Sequence, residues 1–279
     1  MTTVSAAAPY ELTSTRHGTM LVNRNDVYMG QALLLYGECC EIELQFLLAL
    51  VRNPGLVIEV GANMGIHTIP IAAQLAKQDR TMLAFEPQPV IFQQLCANLA
   101  LNGLMNVRAL PYACGKENGA VTFEVPDYRN IGNFGSTSMR ASVEAASKRE
   151  IVQCVRLDSI VAEGLVGSIK IDVEGYELDV LQGSEDILAR CHPLLYVEND
   201  RRDKSQALIQ WLMDHEYRLW WHVPPLFNPA NFRGVPENGY GNVCSLNMLC
   251  IHKSTQIPVT GMTEILDPSD HPLNQRSEA

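Results

Sequence analysis

The sequence has few basic residues for its length. Its 279 residues include 21 lysines and arginines against 31 aspartates and glutamates, which gives a formal net charge of −10. No run of basic residues is longer than a pair such as Arg201 and Arg202. Because nucleic acids bind clustered positive charge and are repelled by an acidic surface, this balance disfavours a nucleic-acid partner.

Long apolar segments are absent as well. No stretch approaches the ~18 uninterrupted apolar residues typical of a membrane-spanning helix. Residues 1–10 have neither the basic start nor the apolar core of a secretory signal peptide. The eight cysteines contain no C-x-x-C pair, so we expect reduced thiols rather than a zinc site or a disulfide framework. Together these absences predict a cytoplasmic protein without a membrane partner.

The sequence does contain enough apolar material for a sizeable core. Hydrophobic residues make up 47% of the chain and charged residues 19%, which is ordinary for a folded protein. The length fits one α/β domain that carries a cap and a tail. We therefore expect a flexible N-terminus (1–19), an N-terminal cap (20–55), a main domain (56–252) and a loosely held C-terminal tail (253–279).

Apolar runs and helical stretches alternate through the main domain. Short apolar runs bounded by turn residues predict buried strands, and the periodic segments between them predict helices. Such alternation predicts a largely parallel sheet flanked by helices. The expected strands span residues 56–60, 81–85, 106–112, 168–172, 194–198, 217–222 and 245–252, with a long insertion at 223–244 between the last two.

A glycine turn follows the first of these strands, from Gly61 to Gly65. Such a turn lets the backbone and the amides of the next helix approach a nucleotide-like ligand. The dinucleotide fingerprint G-x-G-x-x-G is not met, because Asn63 and Ile66 occupy its second and third glycine positions. Glu86 closes the next strand about 21 residues after Gly65, where a carboxylate can accept hydrogen bonds from ribose hydroxyls. The pattern therefore favours a ribose-bearing ligand without pyrophosphate.

Four segments, taken together and in order, resemble the FkbM family of methyltransferases. They are VIEVGANMGIHT (57–68), FEP (85–87), LDSI (157–160) and IKIDVEGYE (169–177). The resemblance implies a class I methyltransferase fold, in which a Rossmann-like, seven-stranded and mostly parallel sheet is flanked by helices. It also implies S-adenosylmethionine as the methyl donor and, usually, O-methylation of a hydroxyl on a sugar or a secondary metabolite.

The resemblance further implies which residues hold the cofactor. The glycines could instead be simple turn formers, and the Glu59 carboxylate could cap nearby backbone amides. Carried over residue by residue, the family pattern places Glu59, Gly61, Asn63 and Gly65 around the methionine part, Glu86 at the ribose, and Tyr36 and Glu38 in a cap over the cofactor.

Methyl transfer to a hydroxyl needs a base or a metal ion to remove the hydroxyl proton. Asp172 is the leading base because it ends a strand at the carboxyl edge of the sheet, and Glu174 lies two residues on. His67, in the first helical turn, is a further base, although such a histidine more often packs locally. Alternatively, Asp172, Glu198 and Asn199 end neighbouring strands and could bind magnesium, which would acidify the hydroxyl. Glu174 and Glu198 could equally make only structural hydrogen bonds.

Two polar loops are candidates for the acceptor site. Residues 130–138 are rich in Gly, Asn and Ser, and the insertion at 223–244 is long enough to be a lid. Ordinary solvated loops and core aromatics are the competing interpretation. The candidate acceptor-binding residues are Asn133 and Ser136 in the first loop, Asn228 and Asn231 in the insertion, and Trp221 beside it.

Three functions stay open on the sequence alone. The first is O-methylation of a small-molecule or carbohydrate acceptor, and the second is methylation of a carboxylate or an amine on a small metabolite. Base-directed N-methyltransferases usually carry Asn or Asp followed by Pro-Pro and an aromatic residue, and residues 172–175 read Asp-Val-Glu-Gly instead. The third is a non-catalytic protein that binds S-adenosylmethionine within a complex. The sequence is also compatible with a homodimer.

Overall fold

The computed structural model describes residues 9–135 and 148–273. In chain order, the strands are β1 (Tyr10–Thr15), β2 (Gly18–Asn23), β3 (Leu56–Val60), β4 (Met82–Phe85), β5 (Val107–Leu110), β6 (Ala113–Cys114), β7 (Gly119–Val125), β8 (Lys148–Val155), β9 (Val166–Ile171), β10 (Leu194–Glu198), β11 (Tyr217–His222), β12 (Asn247–His252) and β13 (Thr263–Ile265). The helices are α1 (Met29–Leu35), α2 (Glu41–Leu50), α3 (Thr68–Ala76), α4 (Pro89–Leu101), α5 (Leu157–Ile160), α6 (Glu177–Gln182), α7 (Glu185–Cys191) and α8 (Arg202–Asp214).

The central layer is an eight-stranded sheet with the order β13-β11-β12-β10-β9-β3-β4-β5. The five strands from β10 to β5 run parallel to one another. Strand β12 is antiparallel to both β10 and β11, and β13 is antiparallel to β11 at the edge. The expected fold class, an α/β fold of the class I methyltransferase type with a mostly parallel sheet, is confirmed. The seven expected strands are all present, and β13 is added to them.

Helices bury both faces of this sheet. Val57 and Met82 pack with α2 and α3 on one face, whereas Ile58 and Leu83 pack with α6, α7 and α8 on the other. This alternation explains why the central strands read as continuous apolar runs. The longest helices, α4 and α8, have 13 residues each. None of the helices in the described ranges combines the length and the apolarity that crossing a membrane requires.

The N-terminal region is ordered earlier than the sequence suggests. Strands β1 and β2 form an antiparallel hairpin within residues 10–23, although a flexible segment was expected up to residue 19. Polar side chains of α4 hold this hairpin: Asn98 Oδ1 accepts a hydrogen bond from the Leu21 amide at 2.6 Å, and Gln94 Nε2 donates to the Leu21 carbonyl at 2.8 Å. Contacts with residues more than 70 positions away leave no local signal in the sequence.

The C-terminal tail likewise contributes to the sheet. Residues 253–279 were expected to be loosely held, but β13 pairs with β11 in a register that places Ile265 opposite Leu219. Ile265 is only 2% exposed, whereas Leu266 next to it is 82% exposed. One buried side chain in a polar segment creates no periodic pattern, which explains why the strand could not be predicted.

Candidate active site

A cavity of about 280 Å³ opens at the carboxyl ends of β3, β4, β9 and β10. Open α/β sheets bind their ligands at this edge, next to the strand where the chain order reverses. Nine of the candidate residues line it: Glu59, Gly61, Asn63, His67, Glu86, Asn133, Asp172, Glu174 and Glu198. The other candidates lie elsewhere in the fold, except that Ser136 falls outside the described residues.

The glycine turn brings two strand ends into close contact. Gly61 has a φ of +86°, and a Cβ atom there would lie 1.8 Å from the carbonyl oxygen of Asp172. Only glycine fits both the backbone angle and the approach. Gly65 has a φ of +96°, but a Cβ there would meet Leu95 of α4 at 2.9 Å rather than the cavity. Gly61 therefore shapes the cavity floor, and Gly65 allows α4 to pack.

Glu86 joins the glycine turn to the start of α4. One carboxylate oxygen accepts a hydrogen bond from the Asn63 amide at 2.9 Å, and the other accepts one from the Gln88 amide at 2.8 Å. Glu86 is 3% exposed, and burial raises its pKa to about 7. Each oxygen keeps a second lone pair, so the carboxylate can still accept hydrogen bonds from two vicinal hydroxyls.

A buried lysine organises the charges behind the cavity. Lys170, near the carboxyl end of β9, is 6% exposed and donates to Asp172 Oδ2 at 2.9 Å. Its Nζ atom also lies 3.9 Å from a Glu59 carboxylate oxygen, and Glu59 accepts a hydrogen bond from the Thr68 hydroxyl at 2.6 Å. Burial would lower the pKa of Lys170, but the neighbouring carboxylates outweigh burial and raise it. Lys170 is therefore a fixed cation. Sequence reasoning missed it, although a lysine inside an apolar strand was the available signal.

The charges around Lys170 give different pKa values to Asp172 and Glu174, the two carboxyl groups predicted as bases. Burial acts to raise the pKa of Asp172, but the charge and hydrogen bond of Lys170 lower it overall. Burial, followed by the charge of Asp172, raises the pKa of Glu174 to about 7. Arg201 donates a hydrogen bond to Glu174 and holds it at the cavity edge. At neutral pH, Asp172 is thus an ionised carboxylate, and Glu174 exchanges its proton readily.

Two of the three oxygen ligands expected for magnesium, Asp172 and Glu198, are joined by a side-chain hydrogen bond, but Asn199 does not meet them. Asn199 is 3% exposed, and its side-chain amide donates to the Met248 sulfur at 3.3 Å, away from the cavity. Successive side chains of an extended chain point in opposite directions, so Asn199 turns away where Glu198 faces the cavity. Carboxylate oxygens of Glu174, Glu198 and Asp200 instead lie within 4.8 Å of one another.

His67 is placed on the cavity wall but is a weak base. It is 4% exposed, and burial, helped by the charge of Lys170, lowers its pKa to about 3. Its Nε2 atom is buried without a hydrogen-bond partner among the described residues. The imidazole is therefore neutral throughout the physiological pH range, and it lacks the basicity of Glu174.

Tyr36 and Glu38 fasten the insertion to the N-terminal cap instead of lining the cavity. The Tyr36 hydroxyl donates to the Glu237 carbonyl at 3.0 Å and accepts from the Gly239 amide at 2.8 Å. The Glu38 carboxylate accepts from Arg16 at 2.6 Å and from Asn228 Nδ2 at 2.7 Å. These polar atoms are satisfied by the protein itself, so this geometry does not present Tyr36 or Glu38 to a cofactor.

The remaining acceptor candidates also have structural contacts. Asn231 is 6% exposed, and its amide donates to the carbonyls of Asn228 and Val235 inside the insertion. Trp221, on β11, is 7% exposed and packs into the main core. Of the acceptor candidates within the described ranges, Asn133 alone lines the cavity.

The amino-acid sequence matches both a protein-family model and individual known proteins. The model of the methyltransferase FkbM domain matches residues 59–219, more than half of the chain. The chain is 32% identical over 231 residues to 31-O-demethyl-FK506 methyltransferase FkbM of Streptomyces tacrolimicus, a match covering 72% of this chain and 87% of that protein.

Two further relatives, both named as methyltransferases, are more distant. Methyltransferase 1 of Beauveria bassiana is 29% identical over 151 residues, which cover 48% of this chain and 60% of that protein. Hexuronic acid methyltransferase AglP of Haloferax volcanii is 27% identical over 146 residues, which cover 52% of this chain and 56% of that protein. The chain thus spans less than two thirds of the length of these two relatives.

Proposed function

Since this chain belongs to the FkbM methyltransferase family, we propose that it transfers the methyl group of S-adenosylmethionine to a hydroxyl oxygen of a neutral sugar or secondary metabolite. Two questions decide the proposal: whether the cavity suits this cofactor, and whether the residues near it can take up the hydroxyl proton.

The charge of the cavity wall is the observation that supports the cofactor. Among the described residues, seven carboxyl groups line the cavity together with one ammonium group, that of Lys170. Asp172 stays ionised, whereas burial raises the pKa values of four others to about 7 and that of Glu198 well above its usual value. S-adenosylmethionine has a sulfonium and an ammonium group against one carboxylate, so this net positive ligand would favour the ionised forms of these carboxyl groups. A pair of unit charges about 4 Å apart interacts by about 4 kcal/mol at an effective dielectric constant near 20. The seven carboxylates are Glu43, Glu59, Glu86, Asp172, Glu174, Glu198 and Asp200.

The same charge disfavours a dinucleotide. A pyrophosphate would bring further negative charge to these carboxylates, and the glycine turn lacks two of the three fingerprint glycines. Glu86 would hold the two ribose hydroxyls, and the turn from Gly61 to Asn63 would allow close approach of the ligand. Glu59 already accepts from Thr68 and lies near Lys170, so it would act on the methionine part mainly through its charge.

The chain's own acid–base groups suit removal of a hydroxyl proton. When bound, S-adenosylmethionine supplies an electrophilic methyl group on a sulfonium sulfur. Glu174 would take up the hydroxyl proton of the acceptor, which leaves the acceptor oxygen as the nucleophile for that methyl group. A base whose pKa lies near the working pH is the most effective, and the pKa of Glu174 is about 7. Asp172 remains ionised beside Lys170 and orients the acceptor.

The acidic edge of the cavity also bears on the acceptor. Glu174, Glu198 and Asp200 lie together there, with Arg201 paired to Glu174. Burial and repulsion by neighbouring carboxylates raise the pKa values of all three carboxyl groups, so a carboxylate from the acceptor would add a further unfavourable charge, which disfavours carboxylate methylation. AglP is named for a hexuronic acid, so we expect the two proteins to differ in acceptor. Neutral hydroxyls can donate hydrogen bonds to these carboxylates, which favours a polyhydroxylated acceptor.

The proposal is tested by turnover on a panel of neutral sugars and hydroxylated metabolites, alongside matched uronic acids and amino sugars. The methylated atom is located by mass spectrometry and NMR. A neutral O-methylated product supports the proposal. Methylation confined to a carboxylate or an amine contradicts it, and tight cofactor binding without turnover on any acceptor class would indicate the non-catalytic partner.

Glu174→Gln separates the base from its alternatives. We expect kcat of the wild type to rise with pH through about 7, because Glu174 must be ionised to accept the proton. Glu174→Gln should lower kcat ~100-fold or more and remove this pH dependence, whereas the exposed control Glu117→Gln should keep the wild-type kcat and its pH dependence.

Magnesium, held by Glu174, Glu198 and Asp200, is the competing way to acidify the hydroxyl. Activity that vanishes with a chelator and returns only with magnesium would favour it.

A further inference from the structure

A thiol, a carboxylate and an imidazole meet on the wall of the same cavity. One ligand atom each from Cys40, Glu43 and His67 lies within 4.8 Å of the others. All three residues line the cavity, and none of them is used in the methyl-transfer steps above. Sulfur, oxygen and nitrogen donors in one cluster are the set that a borderline-soft divalent cation prefers.

The fold holds the three side chains from two different helices. Cys40 directly precedes α2 and has a left-handed backbone, with a φ of 53°. Glu43 lies in the first turn of α2, and His67 directly precedes α3. Because 24 residues separate Glu43 from His67, no C-x-x-C or H-x-x-x-H spacing announces the cluster in the sequence.

The histidine has the features of a ligand without its ion. His67 is 4% exposed, and Nε2 has no hydrogen-bond partner among the described residues. Buried polar atoms nearly always have a partner, so an unpaired imidazole nitrogen is an exception with a cost. Its low pKa keeps the ring neutral, which is the form that binds metal ions. Glu43 is also buried, at 4% exposure.

Opposing charges surround this position, because the Lys170 ammonium lowers the pKa of His67 and the Asp172 carboxylate raises it. Glu43 and His67 both lie close enough to Lys170 and Asp172 to be affected by their charges. With Glu59 added, three carboxylates face one ammonium group in this part of the cavity. A dication bound next to these carboxyl groups would favour their ionised forms.

We propose that Cys40, Glu43 and His67 bind one zinc ion, with the fourth coordination position open to the cavity. The Cys40 thiol would lose its proton to solvent as the sulfur–zinc bond forms. Zinc bonds of ~2.0–2.3 Å in a tetrahedron place ligand atoms about 3.5 Å apart, so the side chains would close by about 1 Å. Three protein ligands with one open position is the arrangement of zinc sites that act on a bound oxygen.

The site is tested by zinc binding to the full chain, prepared metal-free in a non-thiol reductant. Zinc is titrated in competition with a chromophoric chelator, and cobalt is added separately to detect the absorption band of a cobalt–thiolate bond. We expect one zinc ion per chain and a cobalt–thiolate band. Cys40→Ser should abolish that band, and Cys40→Ser, Glu43→Gln and His67→Asn should each weaken zinc binding at least about 10-fold.

Cys39→Ser is the matched control, because its Sγ atom lies 3.4 Å from that of Cys40 but is not one of the three ligands. Zinc should raise the melting temperature of the wild type and of Cys39→Ser, and raise that of Cys40→Ser by clearly less. Since this shift is measured on each variant against its own metal-free form, a loss of basal stability does not obscure it. Wild-type protein that binds zinc no more tightly than Cys40→Ser, or that shows no cobalt–thiolate band, overturns the proposal.

Discussion

Replacing Lys170 with methionine should strongly destabilise the protein. The side chain is 6% exposed and lies against the carboxylates of Asp172 and Glu59 at 2.9 and 3.9 Å. Methionine has a similar length and fills the space, so the loss of charge is the main effect. Removing one partner of a buried ion pair typically costs 3–5 kcal/mol, because the other charge is left uncompensated. We therefore expect Lys170→Met to lower the free energy of unfolding by about 3–5 kcal/mol at pH 8.

The loss should depend on pH in a defined direction. Burial already raises the pKa values of Glu43 and Glu59 to about 7, from an ordinary value of 4.5. The pKa values of these carboxyl groups are higher in the folded than in the unfolded protein. Their ionised forms therefore lower the free energy of unfolding above pH 7, and this free energy is regained as the pH falls toward 4.5 and the groups become protonated. Without Lys170 the folded values rise further, and Lys170→Met should recover stability over a window that begins above pH 7.

Urea unfolding followed by circular dichroism at pH 8 and pH 6 measures both effects. Lys77→Met is the control, because Lys77 is exposed and should change stability by less than about 0.5 kcal/mol. A loss below about 1 kcal/mol for Lys170→Met, or a loss that grows as the pH falls, would show that Lys170 does not compensate the buried carboxylates.

Two further substitutions test the roles assigned around the cavity. Glu38→Gln removes a carboxylate that accepts hydrogen bonds from Arg16, Asn228 and the Phe232 amide. It should lower the free energy of unfolding by about 1–3 kcal/mol and leave the affinity for S-adenosylmethionine unchanged, and a weaker affinity by calorimetry would return Glu38 to the cofactor site. Gly61→Ala places a Cβ atom 1.8 Å from a backbone oxygen, so its melting temperature should fall well below that of Gly103→Ala, where φ is also positive but the space is open. Equal melting temperatures would show that the close approach is not needed.

Local patterns were sufficient to predict the central parallel strands and the helices that flank them. The central strands are short apolar runs between turn residues, and burial on both faces makes that pattern continuous. The hairpin at 10–23 and strand β13 were not predictable in this way, because distant side chains of α4 hold the first and one buried isoleucine anchors the second. Sequence periodicity depends on residues that are close along the chain, so it does not indicate a contact with a residue 70 positions away.

The site was predictable only where a motif fixes the backbone. Gly61 and Glu86 follow their strands directly, so strand order alone places them at the cavity. Lys170 lies within the segment IKIDVEGYE and Glu43 lies in no motif, and the importance of both comes from burial and charge that depend on tertiary packing. Tyr36 and Asn228 are residue types that often bind ligands, and they were predicted on that ground. In the structure their polar atoms instead form hydrogen bonds between the insertion and the N-terminal cap.

Calorimetric titration with S-adenosylmethionine, and in parallel with NAD, decides whether the cavity is a site for the methyl donor. Glu86→Ala is compared with the exposed variant Glu117→Ala. We expect micromolar binding of S-adenosylmethionine to the wild type and no binding of NAD. We also expect Glu86→Ala to weaken the complex by about 1–3 kcal/mol, roughly 5- to 150-fold, and Glu117→Ala to leave it unchanged. Binding of NAD in preference to S-adenosylmethionine would contradict the assignment of this cavity.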